Sequence, residues 1–551
     1  MAIYGHANIK HELMGISALL SILLVFKQAS ARSCFLHPTP LFLKQGSRTT
    51  RSTPTRSTTT TTFSRIRATK TSLSSTNTQN ESQSQSTRNP RYLAAQALTQ
   101  RKKQKDLDAV SRLESTQAFL NSSQRDKAFA RNLVSTTSRR LGQIDSVLSQ
   151  CCNTYPPKGK QGAIVQACLR IGAAQLLFLD TPAFAAVKET IDVLKNRGFH
   201  VPKPMVSFSN AVLRRVEREG VELLQETDVC DNISDFLKGE FRNLYGEEDT
   251  EKIVGQLLDE NAHHFVDLTL KDGDISVQDV IDSFEADDDE RFDSVSPLSN
   301  GSIRIGKGPN AGAISNWPLY EEGAWWVQDV SSTLPAIALT KALHSKFGET
   351  HNKHHVVDMC AAPGGKTAQL LSAGFRVTAI EANARRSRRL LENLQRLQFG
   401  EDQCHVVVSP GQEWLPKDNG EDLQVAGILV DVPCSATGTG NKRPDVLRKD
   451  GDLGNLLDTQ EILANHCADN ILQSGGVMVY ATCSLLAMES EDQVHKLLKR
   501  GTMKTLPFTK GEIPGFDDAI DANGWLRVLP GVLGGELRQC DGFFVARLEK
   551  V

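Results

Sequence analysis

Two cysteines lie in short polar segments, and each segment follows an apolar run of the sequence. Cys434 belongs to DVPCSATGTG at residues 431–440, and Cys483 belongs to ATCS at residues 481–484. A buried free cysteine usually packs as a small hydrophobic residue, but a thiolate in a polar turn can be solvated and nucleophilic. If both apolar runs are strands of one parallel sheet, the two thiols converge on one crevice. We therefore predict that they are catalytic.

A loop of small residues, CAAPGGKT at residues 360–367, follows another apolar run. Its Gly-Lys-Thr ending suggests a phosphate loop, but the GxxxxGK[ST] pattern requires glycine where Cys360 stands, so a nucleoside-triphosphate loop is excluded. Adjacent glycines still let backbone amides approach a ligand at a helix N-terminus, which suits a nucleoside-bearing cofactor with a carboxylate. An ordinary tight turn is the alternative.

Glu381 stands about 20 residues after Cys360, the start of this loop, and at the end of the next apolar run, where an acid can hold the two hydroxyl groups of a ribose. This offset favours the cofactor interpretation over the tight turn. The candidate cofactor-binding residues are Cys360, Ala361, Ala362, Pro363, Gly364, Gly365, Lys366 and Glu381.

The segments that must position these residues alternate between strand and helix patterns from His355 onward. Predicted strands cover residues 356–359, 376–380, 426–430 and 477–481, with helices opening at Lys366 and Arg385. This alternation predicts a parallel sheet with covering helices, whose ligand crevice lies at the carboxyl ends of the strands.

Residues 91–219 carry a helical pattern throughout. Apolar residues recur near the 3.6-residue period, which predicts a bundle of five or six helices. Basic residues on these helices are candidates for an RNA-binding face, although charged helix faces are often only solvated. They are Arg101, Lys102, Lys103, Lys105, Arg139, Arg140, Arg214, Arg215 and Arg218.

The segments CAAPGGK, DVPCSATG and YATCS, in this order, resemble the RNA cytosine-C5 methyltransferases that use S-adenosylmethionine. The helical segment before them is similar to the NusB-type RNA-binding domain. Together they resemble the Sun/RsmB (Fmu) branch, which methylates small-subunit ribosomal RNA. The resemblance runs from about Arg91 to Val551 and includes DGFF at residues 541–544.

The resemblance implies an α/β, Rossmann-like class I methyltransferase domain, with a parallel-rich sheet and helices on both faces, preceded by an all-α NusB-like bundle. Cys483 would be the nucleophile, Cys434 would assist product release, and Asp431 would hold the polar edge of cytosine beside the cofactor. The loop at 360–366, Glu381 and Asp431 would bind S-adenosylmethionine. Two thiols fit the chemistry, because thiolate addition to C6 activates C5 and a base must later remove the C5 proton.

One feature departs from the family pattern. The family commonly has an acid after the third strand to hold adenine, whereas Ser409 and Gln412 occupy this region. Either side chain can form a hydrogen bond, so we expect weaker cofactor affinity rather than inactivity.

Several further residues are secondary candidates. Lys442 and Arg443 could meet RNA phosphate or lie in a surface loop, and Gln328-Asp329 resembles a family motif. An arginine-rich helix could also bind RNA; its arginines are Arg385, Arg386, Arg388, Arg389 and Arg396. Two other functions stay open: a non-catalytic RNA-binding assembly factor, and a transfer-RNA methyltransferase of the same chemistry.

Composition and charge fit a soluble enzyme better than a protein that coats nucleic acid. The 551 residues are 39% hydrophobic and carry a formal net charge of −2. Residues 32–88 hold nine basic residues and one acid, and residues 1–31 add +1, which leaves −11 for residues 89–551. The 11 cysteines include no CxxC pair or Cys/His cluster. A reducing compartment without disulfides or a bound metal is therefore expected.

The first 88 residues have the composition of targeting segments. The apolar run at residues 13–26 has the length of a signal-peptide core, and Ala29-Ser30-Ala31 suits a signal peptidase. The Ser/Thr/Arg-rich, almost acid-free segment that follows is typical of a disordered transit peptide. Two such segments in series resemble the bipartite presequences of secondary plastids. A mitochondrial presequence, or a buried helix with a disordered linker, is the alternative.

The predicted organisation has five parts. They are a signal-peptide-like segment at 1–31, a transit-peptide-like segment at 32–88, a NusB-like domain at 89–222, a linking subdomain with a disordered acidic loop (285–290) at 223–330, and the methyltransferase domain at 331–551. We expect the mature protein to act as a monomer on ribosomal RNA in the plastid stroma, without stable membrane association.

Overall fold

The structure, a computed structural model, describes residues 89–99, 108–196, 198–260, 264–273, 275–287, 290–348, 350, 354–418, 421–449, 451 and 453–551. All of them belong to one compact unit of the chain. The two predicted targeting segments, 1–31 and 32–88, lie outside the described residues. Within those residues, no helix combines the length and apolar character that crossing a membrane requires.

The amino-terminal part is helical, as its apolar periodicity predicts. Side-chain caps begin several of these helices; the hydroxyl of Ser123, for example, accepts a hydrogen bond from the amide of Asp126. Buried side chains such as Leu133, Val165 and Leu213 form one shared core. The helices are α1 Pro90–Leu98, α2 Ala109–Glu114, α3 Gln117–Leu120, α4 Gln124–Arg139, α5 Leu141–Cys151, α6 Gly162–Leu177, α7 Ala183–Leu194 and α8 Lys203–Gln225.

A long kinked helix, α9 (Asp235–Leu257), follows the bundle. Its kink lies at Gly246, whose φ of 78° is accessible to glycine at little cost. Phe241 and Val254 are fully buried on this helix and pack in one cluster with Leu485. The first part of the predicted linking segment thus packs against the residues that follow Cys483.

A small antiparallel sheet forms the rest of that segment, with strand order β2-β3-β1-β4. Its elements are β1 Phe265–Leu270, α10 Val277–Glu285, β2 Phe292–Pro297, β3 Ile303–Lys307 and β4 Trp325–Val327. Phe284, Phe292, Trp317 and Trp325 form its aromatic core, with ring centroids about 5 to 6 Å apart.

The predicted disordered acidic loop begins where α10 ends at Glu285. For Asp287 this prediction is wrong. Its side chain is only 11% exposed and forms an ion pair with Arg291. Asp288 and Asp289 lie outside the described residues.

The carboxy-terminal domain alternates strands and helices as predicted. Its helices and strands are α11 Leu334–Phe347, β5 His355–Met359, α12 Gly365–Ser372, β6 Arg376–Ile380, α13 Ala384–Arg396, β7 Cys404–Val407, β8 Lys417–Asp418, β9 Glu421–Asp422, β10 Val425–Asp431, α14 Gly454–His466, β11 Leu472–Thr482, α15 Glu491–Lys499, β12 Met503–Thr505, β13 Leu526–Val528 and β14 Phe543–Lys550.

The main sheet has the order β12-β14-β11-β10-β5-β6-β7, and β13 pairs with β14. Strands β11, β10, β5, β6 and β7 are parallel, whereas β14 runs antiparallel to β11. The chain leaves β5 towards β7 and returns to the other side of β5 as β10, so a topological switch point lies between β5 and β10. Ligands of open α/β sheets bind at such a point.

Alternate residues of the strands face opposite sides of this sheet. Val356 and Leu429 pack with α11, α12 and α13 on one face. Val357 and Ile428 pack with α14 and α15 on the other. The predicted fold, a parallel-rich sheet with helices on both faces preceded by a helical bundle, is confirmed.

A buried ion pair joins the strands of the small sheet and predicts a stability effect. Arg304 Nε and Nη2 donate to the two oxygens of Asp267 at 2.7 and 2.8 Å, and both side chains are less than 10% exposed. Asp267→Ala would leave the guanidinium buried and unpaired. We expect the free energy of unfolding to fall by ~3–5 kcal/mol, measured by urea unfolding followed by tryptophan fluorescence.

Asp192→Ala is the matched control, because it removes an exposed ion pair with Lys195. Its expected cost is less than about 1 kcal/mol. Equal effects of the two substitutions would contradict the structural role of the buried pair.

Candidate active site

The loop after β5 lies at the switch point and is held in an unusual backbone conformation. Cys360 has a φ of 66° and Gly364 a φ of 106°. A Cβ at Gly364 would lie 2.6 Å from Cδ1 of Leu390, so only glycine fits there. The Ala361 amide donates to the Ile380 carbonyl, which ties the loop to the end of β6. A non-glycine residue held in the left-handed region, such as Cys360, is typical of a functional site.

Two buried carboxylates border this loop, and each has one oxygen that accepts no hydrogen bond from the described residues. These atoms are Oδ1 of Asp358, at the end of β5, and Oε2 of Glu381, just after β6. Burial raises the pKa of Asp358 to about 7, against the hydrogen bond from Thr367. Buried acceptors of this kind fit a ligand that brings its own hydroxyl or amine groups.

Arg386 on α13 fixes the position of Glu381. Its Nη1 lies 3.2 Å from Oε2, and its Nη2 donates to the Ala362 carbonyl at 2.6 Å. The Asn383 amide donates to Oε1 of Glu381 at 2.9 Å. Arg386 therefore links the predicted loop and the predicted ribose-binding acid, while more than half of its side chain stays exposed.

Lys366 and Asp431 form an ion pair across the switch point, with Nζ and Oδ2 2.9 Å apart. Burial would lower the pKa of Lys366, but the carboxylate of Asp431 outweighs this effect and holds that pKa above its usual value. The Lys366 ammonium also lies 5.3 Å from the ring centroid of Phe543. The loop after β5 and the end of β10 are therefore joined by charge.

The two predicted thiols lie side by side. Sγ of Cys434 and Sγ of Cys483 are 3.4 Å apart, and both residues are partly exposed. The hydrogen bond between the thiols and burial raise the pKa of Cys483 well above its usual value. The same hydrogen bond, against burial, lowers the pKa of Cys434. Of the two residues, Cys434 is therefore the one that loses its proton more readily.

Backbone contacts at Gly438 hold the cysteine loops together. Its amide donates to the Cys483 carbonyl, and its carbonyl accepts from the Gly542 amide, both at 2.9 Å. A Cβ at Gly438 would lie 2.3 Å from the Gly542 carbonyl oxygen. Three chain segments that are far apart in sequence therefore meet at this glycine.

Sequence reasoning missed Glu489, which lies in a 3-10 turn after β11. This fully buried carboxylate accepts hydrogen bonds from Ser435, Ser484 and Gln460. In the sequence it is one of several acids near the start of α15, and no spacing distinguishes it from Glu491. The sequence reasoning also missed the pairing of Arg386 with Glu381. The short separation of these two residues along the chain was the only signal for it.

The expectation that Lys442 meets RNA phosphate is not supported by its contacts. Its Nζ donates to Asp329 at 2.9 Å and to Asp541 at 2.6 Å, so its charge is already paired with two carboxylates. The nearby charge of Asp329 adds to burial in raising the pKa of Asp541 to about 7. Arg443 is exposed and lies 3.5 Å from Asp445.

Gln328, the other half of the predicted Gln-Asp motif, is buried against the cofactor loop. Its side chain accepts from Trp326 Nε1 at 2.6 Å and donates to Gln369 on α12 at 2.8 Å. A Cβ at Gly365 would lie 3.0 Å from its Oε1. Gln328 therefore packs against the loop at residues 360–366 and bonds to the helix that follows it.

Several arginines predicted as RNA contacts also have partners within the protein. Arg396 donates to the Tyr320 and Trp325 carbonyls, Arg139 is buried and donates to the Asn441 carbonyl, and Arg215 pairs with Glu219. Arg214 pairs with Glu217, and the guanidinium of Arg140 lies 5.4 Å from the Phe178 ring centroid. Arg385, Arg388, Arg389 and Arg218 are exposed. The predicted basic residues 101–105 lie outside the described residues.

The loop after β7 reaches the same edge of the sheet. A Cβ at Gly411 would lie 2.5 Å from Sδ of Met359, so this loop packs against the end of β5. Ser409 donates to the Pro410 carbonyl at 3.2 Å, and Gln412 is exposed. Among the described residues, no group of three or more His, Cys, Asp or Glu side chains is arranged to hold a metal ion.

Comparisons with known proteins agree with this geometry. Residues 347–549 match the family described as 16S rRNA methyltransferase RsmB/F, and residues 88–218 match the NusB family. Ribosomal RNA small subunit methyltransferase B of Shewanella oneidensis is 30% identical over 431 residues, which cover 77% of this chain and 91% of that protein. The protein of the same name from Proteus mirabilis is 32% identical over 74% of this chain and 91% of its own length.

A solved structure supports the fold. The crystal structure titled PH0851 superposes with a TM-score of 0.62 at 20% identity and covers 84% of this chain and 99% of its own. The arrangement of the helical bundle, small sheet and main sheet is therefore shared with a solved protein.

The Glu381 oxygen that accepts no hydrogen bond predicts an effect on cofactor binding. Glu381→Gln removes the charge that would accept hydrogen bonds from ribose hydroxyl groups. We expect the Kd for S-adenosylmethionine, measured by isothermal titration calorimetry, to rise about 10- to 100-fold, which corresponds to ~1.5–3 kcal/mol.

Glu392→Gln is the control, because Glu392 is an exposed acid on α13. It should leave the Kd unchanged. Equal Kd values for Glu381→Gln and the unmodified protein would show that Glu381 does not contact the ribose.

Proposed function

The chain belongs to the RsmB/F family of 16S rRNA methyltransferases, and we propose that it methylates C5 of a cytosine in small-subunit ribosomal RNA. It is an enzyme whose methyl donor is S-adenosylmethionine, which supplies an electrophilic methyl group on a sulfonium when bound. The observation that carries the proposal of cytosine C5 as the target is the 3.4 Å separation of the two thiols at the switch point.

The residues around the loop fit this cofactor. Oε2 of Glu381 is buried and, apart from its ion-pair contact with Arg386, accepts no hydrogen bond within the described residues, and the left-handed Gly364 opens the start of α12 to a ligand. The side chain of Asp431 lies between this loop and the thiols, since it pairs with Lys366 and its strand leads to Cys434.

The thiols would divide the reaction between them. Once Cys483 has lost its proton to solvent, its Sγ would form a bond to C6 of the cytosine, and the electron pair moved to C5 would take the methyl group. Cys434 accepts the C5 proton, after which the C6–S bond breaks and Cys483 leaves as a thiolate. The lowered pKa of Cys434 favours its thiolate, the form that can accept the C5 proton. The target base must be single-stranded or flipped out, because C6 attack requires access to its face.

Asp431 and Lys366 would orient the base. Asp431 is partly exposed, and Lys366 holds one of its oxygens, so the other is available to the polar edge of a cytosine. Thymine and uracil carry a carbonyl where cytosine has an amino group, and a carboxylate acceptor disfavours them. This contact would give the site its preference for cytosine.

The predicted amino-terminal targeting segments extend the proposal to the location of the protein in the cell. The targeting segments at 1–31 and 32–88 would bring the protein to the plastid stroma, where its substrate would be organellar ribosomal RNA.

The presence of Cys434, Cys483 and Asp431 together favours an enzyme over a non-catalytic assembly factor, which needs none of them.

Substitution of each cysteine tests the division of roles. Cys483→Ala should reduce methylation more than about 1000-fold because no adduct can form, with cofactor binding retained. Cys434→Ala should instead accumulate a protein–RNA adduct, visible as a retarded band on a denaturing gel. Bisulfite sequencing of the ribosomal RNA measures product.

Cys168→Ala is the control, since Cys168 is a buried core residue of the helical bundle, and it should keep full activity. Full turnover by Cys483→Ala would refute the nucleophile assignment, and methylation of transfer RNA in place of ribosomal RNA would refute the substrate.

The localisation is tested by fusing residues 1–90 to a fluorescent protein in cells with secondary plastids. We expect fluorescence in the plastid, because the apolar run directs the first translocation step and the Ser/Thr/Arg-rich segment the second. A fusion of residues 32–90 lacks the first signal and should stay in the cytosol. Cytosolic or mitochondrial fluorescence from the 1–90 fusion would contradict the proposal.

A further inference from the structure

The carboxylate of Glu489 is a shared anchor for both cysteine loops. Its Oε1 accepts hydrogen bonds from the Ser435 amide at 2.9 Å and from Gln460 Nε2 at 3.0 Å. Its Oε2 accepts from the hydroxyl groups of Ser435 and Ser484, both at 2.5 Å. Ser435 directly follows Cys434, and Ser484 directly follows Cys483. One fully buried side chain is therefore bonded to the neighbour of each thiol.

The anchor is stronger on the Cys434 side. Ser435 donates two hydrogen bonds to the carboxylate, and Gln460 adds a bond to the Pro433 carbonyl at 2.9 Å, on the other side of Cys434. Ser484 donates one. Loss of the carboxylate would consequently release Cys434 more than Cys483.

The charge of this group matters as well as its shape. An ionised carboxylate only accepts hydrogen bonds, and all four contacts around Glu489 are made by donors. An amide at this position would lose the charge, so the short hydrogen bonds between Oε2 and the two serine hydroxyl groups would be replaced by weaker neutral ones. The backbone of the turn stays in place by itself, because Tyr480 Oη donates to the Glu489 carbonyl at 2.8 Å. The side chain can thus be altered without removing the turn.

We propose that Glu489 is a positioning residue that holds Cys434 against Cys483, so that Cys434 can reach the C5 proton of the adduct. The proposal rests on the proposed function, because it assigns Glu489 to the release step of that reaction. Glu489 is fully buried and bonds to the residues that follow the thiols rather than to the thiols themselves. Its effect is transmitted through Ser435 and Gln460.

Glu489→Gln tests this role in the full-length enzyme with ribosomal RNA as substrate. We expect kcat to fall about 10- to 100-fold, as a misplacement of about 1 Å does in a preorganised site. The KM for RNA and the Kd for S-adenosylmethionine should not change. The protein–RNA adduct should accumulate during turnover as in Cys434→Ala, a signature that general destabilisation does not produce.

Asp492→Asn is the matched control, because it neutralises an exposed acid three residues further along, on α15. It should show the kcat and adduct level of the unmodified enzyme. An unchanged kcat in Glu489→Gln, or a lowered kcat without adduct, overturns the proposal.

Two further results separate this proposal from the proposed function. If Cys434→Ala itself forms no adduct, its assigned release role is wrong, and the kcat of Glu489→Gln relative to Asp492→Asn decides whether Glu489 positions the site. If Glu489→Gln does not fold, Ser435→Ala replaces it, since the Ser435 amide keeps its bond to Glu489. A smaller fall in kcat with adduct then supports the proposal, and unchanged kinetics overturn it.

Discussion

The active site depends on the register of neighbouring parallel strands, which brings their carboxyl ends to the same edge of the sheet. Met359, Val430 and Tyr480 are paired across β5, β10 and β11, so the three strands reach the edge of the sheet together. The loops that follow these three strands therefore come together a few residues after each strand ends. The Lys366–Asp431 ion pair and the contact between the thiols are both consequences of that register.

Register alone brings loops close without fixing side chains, and buried polar contacts supply the rest. Gly438 holds the Cys483 and Gly542 backbones within hydrogen-bond distance, while Glu489 bonds to the serine after each thiol. Buried polar networks of this kind specify one arrangement, because each unpaired donor or acceptor would cost free energy. The helical bundle reaches the same region through the bond from Arg139 to the Asn441 carbonyl.

Many charged side chains of this protein form ion pairs or hydrogen bonds with neighbouring residues. The acidic enzyme portion contains many arginines, and some of those predicted to form RNA-binding faces bond to neighbouring segments of the fold, as Arg396 does at the small sheet and Arg386 at Glu381. Net charge and charge runs in a sequence therefore say little about which cations are available to a ligand. The exposed arginines of α13, Arg385, Arg388 and Arg389, retain that possibility.

The sequence by itself determined the fold class, the order of strands along the chain, and the candidate residues at their ends. Apolar periodicity and turn residues are local signals, so they locate the loop at 360–366, Glu381, Asp431, Cys434 and Cys483 without reference to distant parts of the chain. Only the tertiary structure decided which polar side chains face each other. Glu489, Lys442 with Asp329 and Asp541, and Arg139 with Asn441 are pairings between residues distant in sequence, and their partners depend on how loops fold over the sheet edge rather than on local pattern.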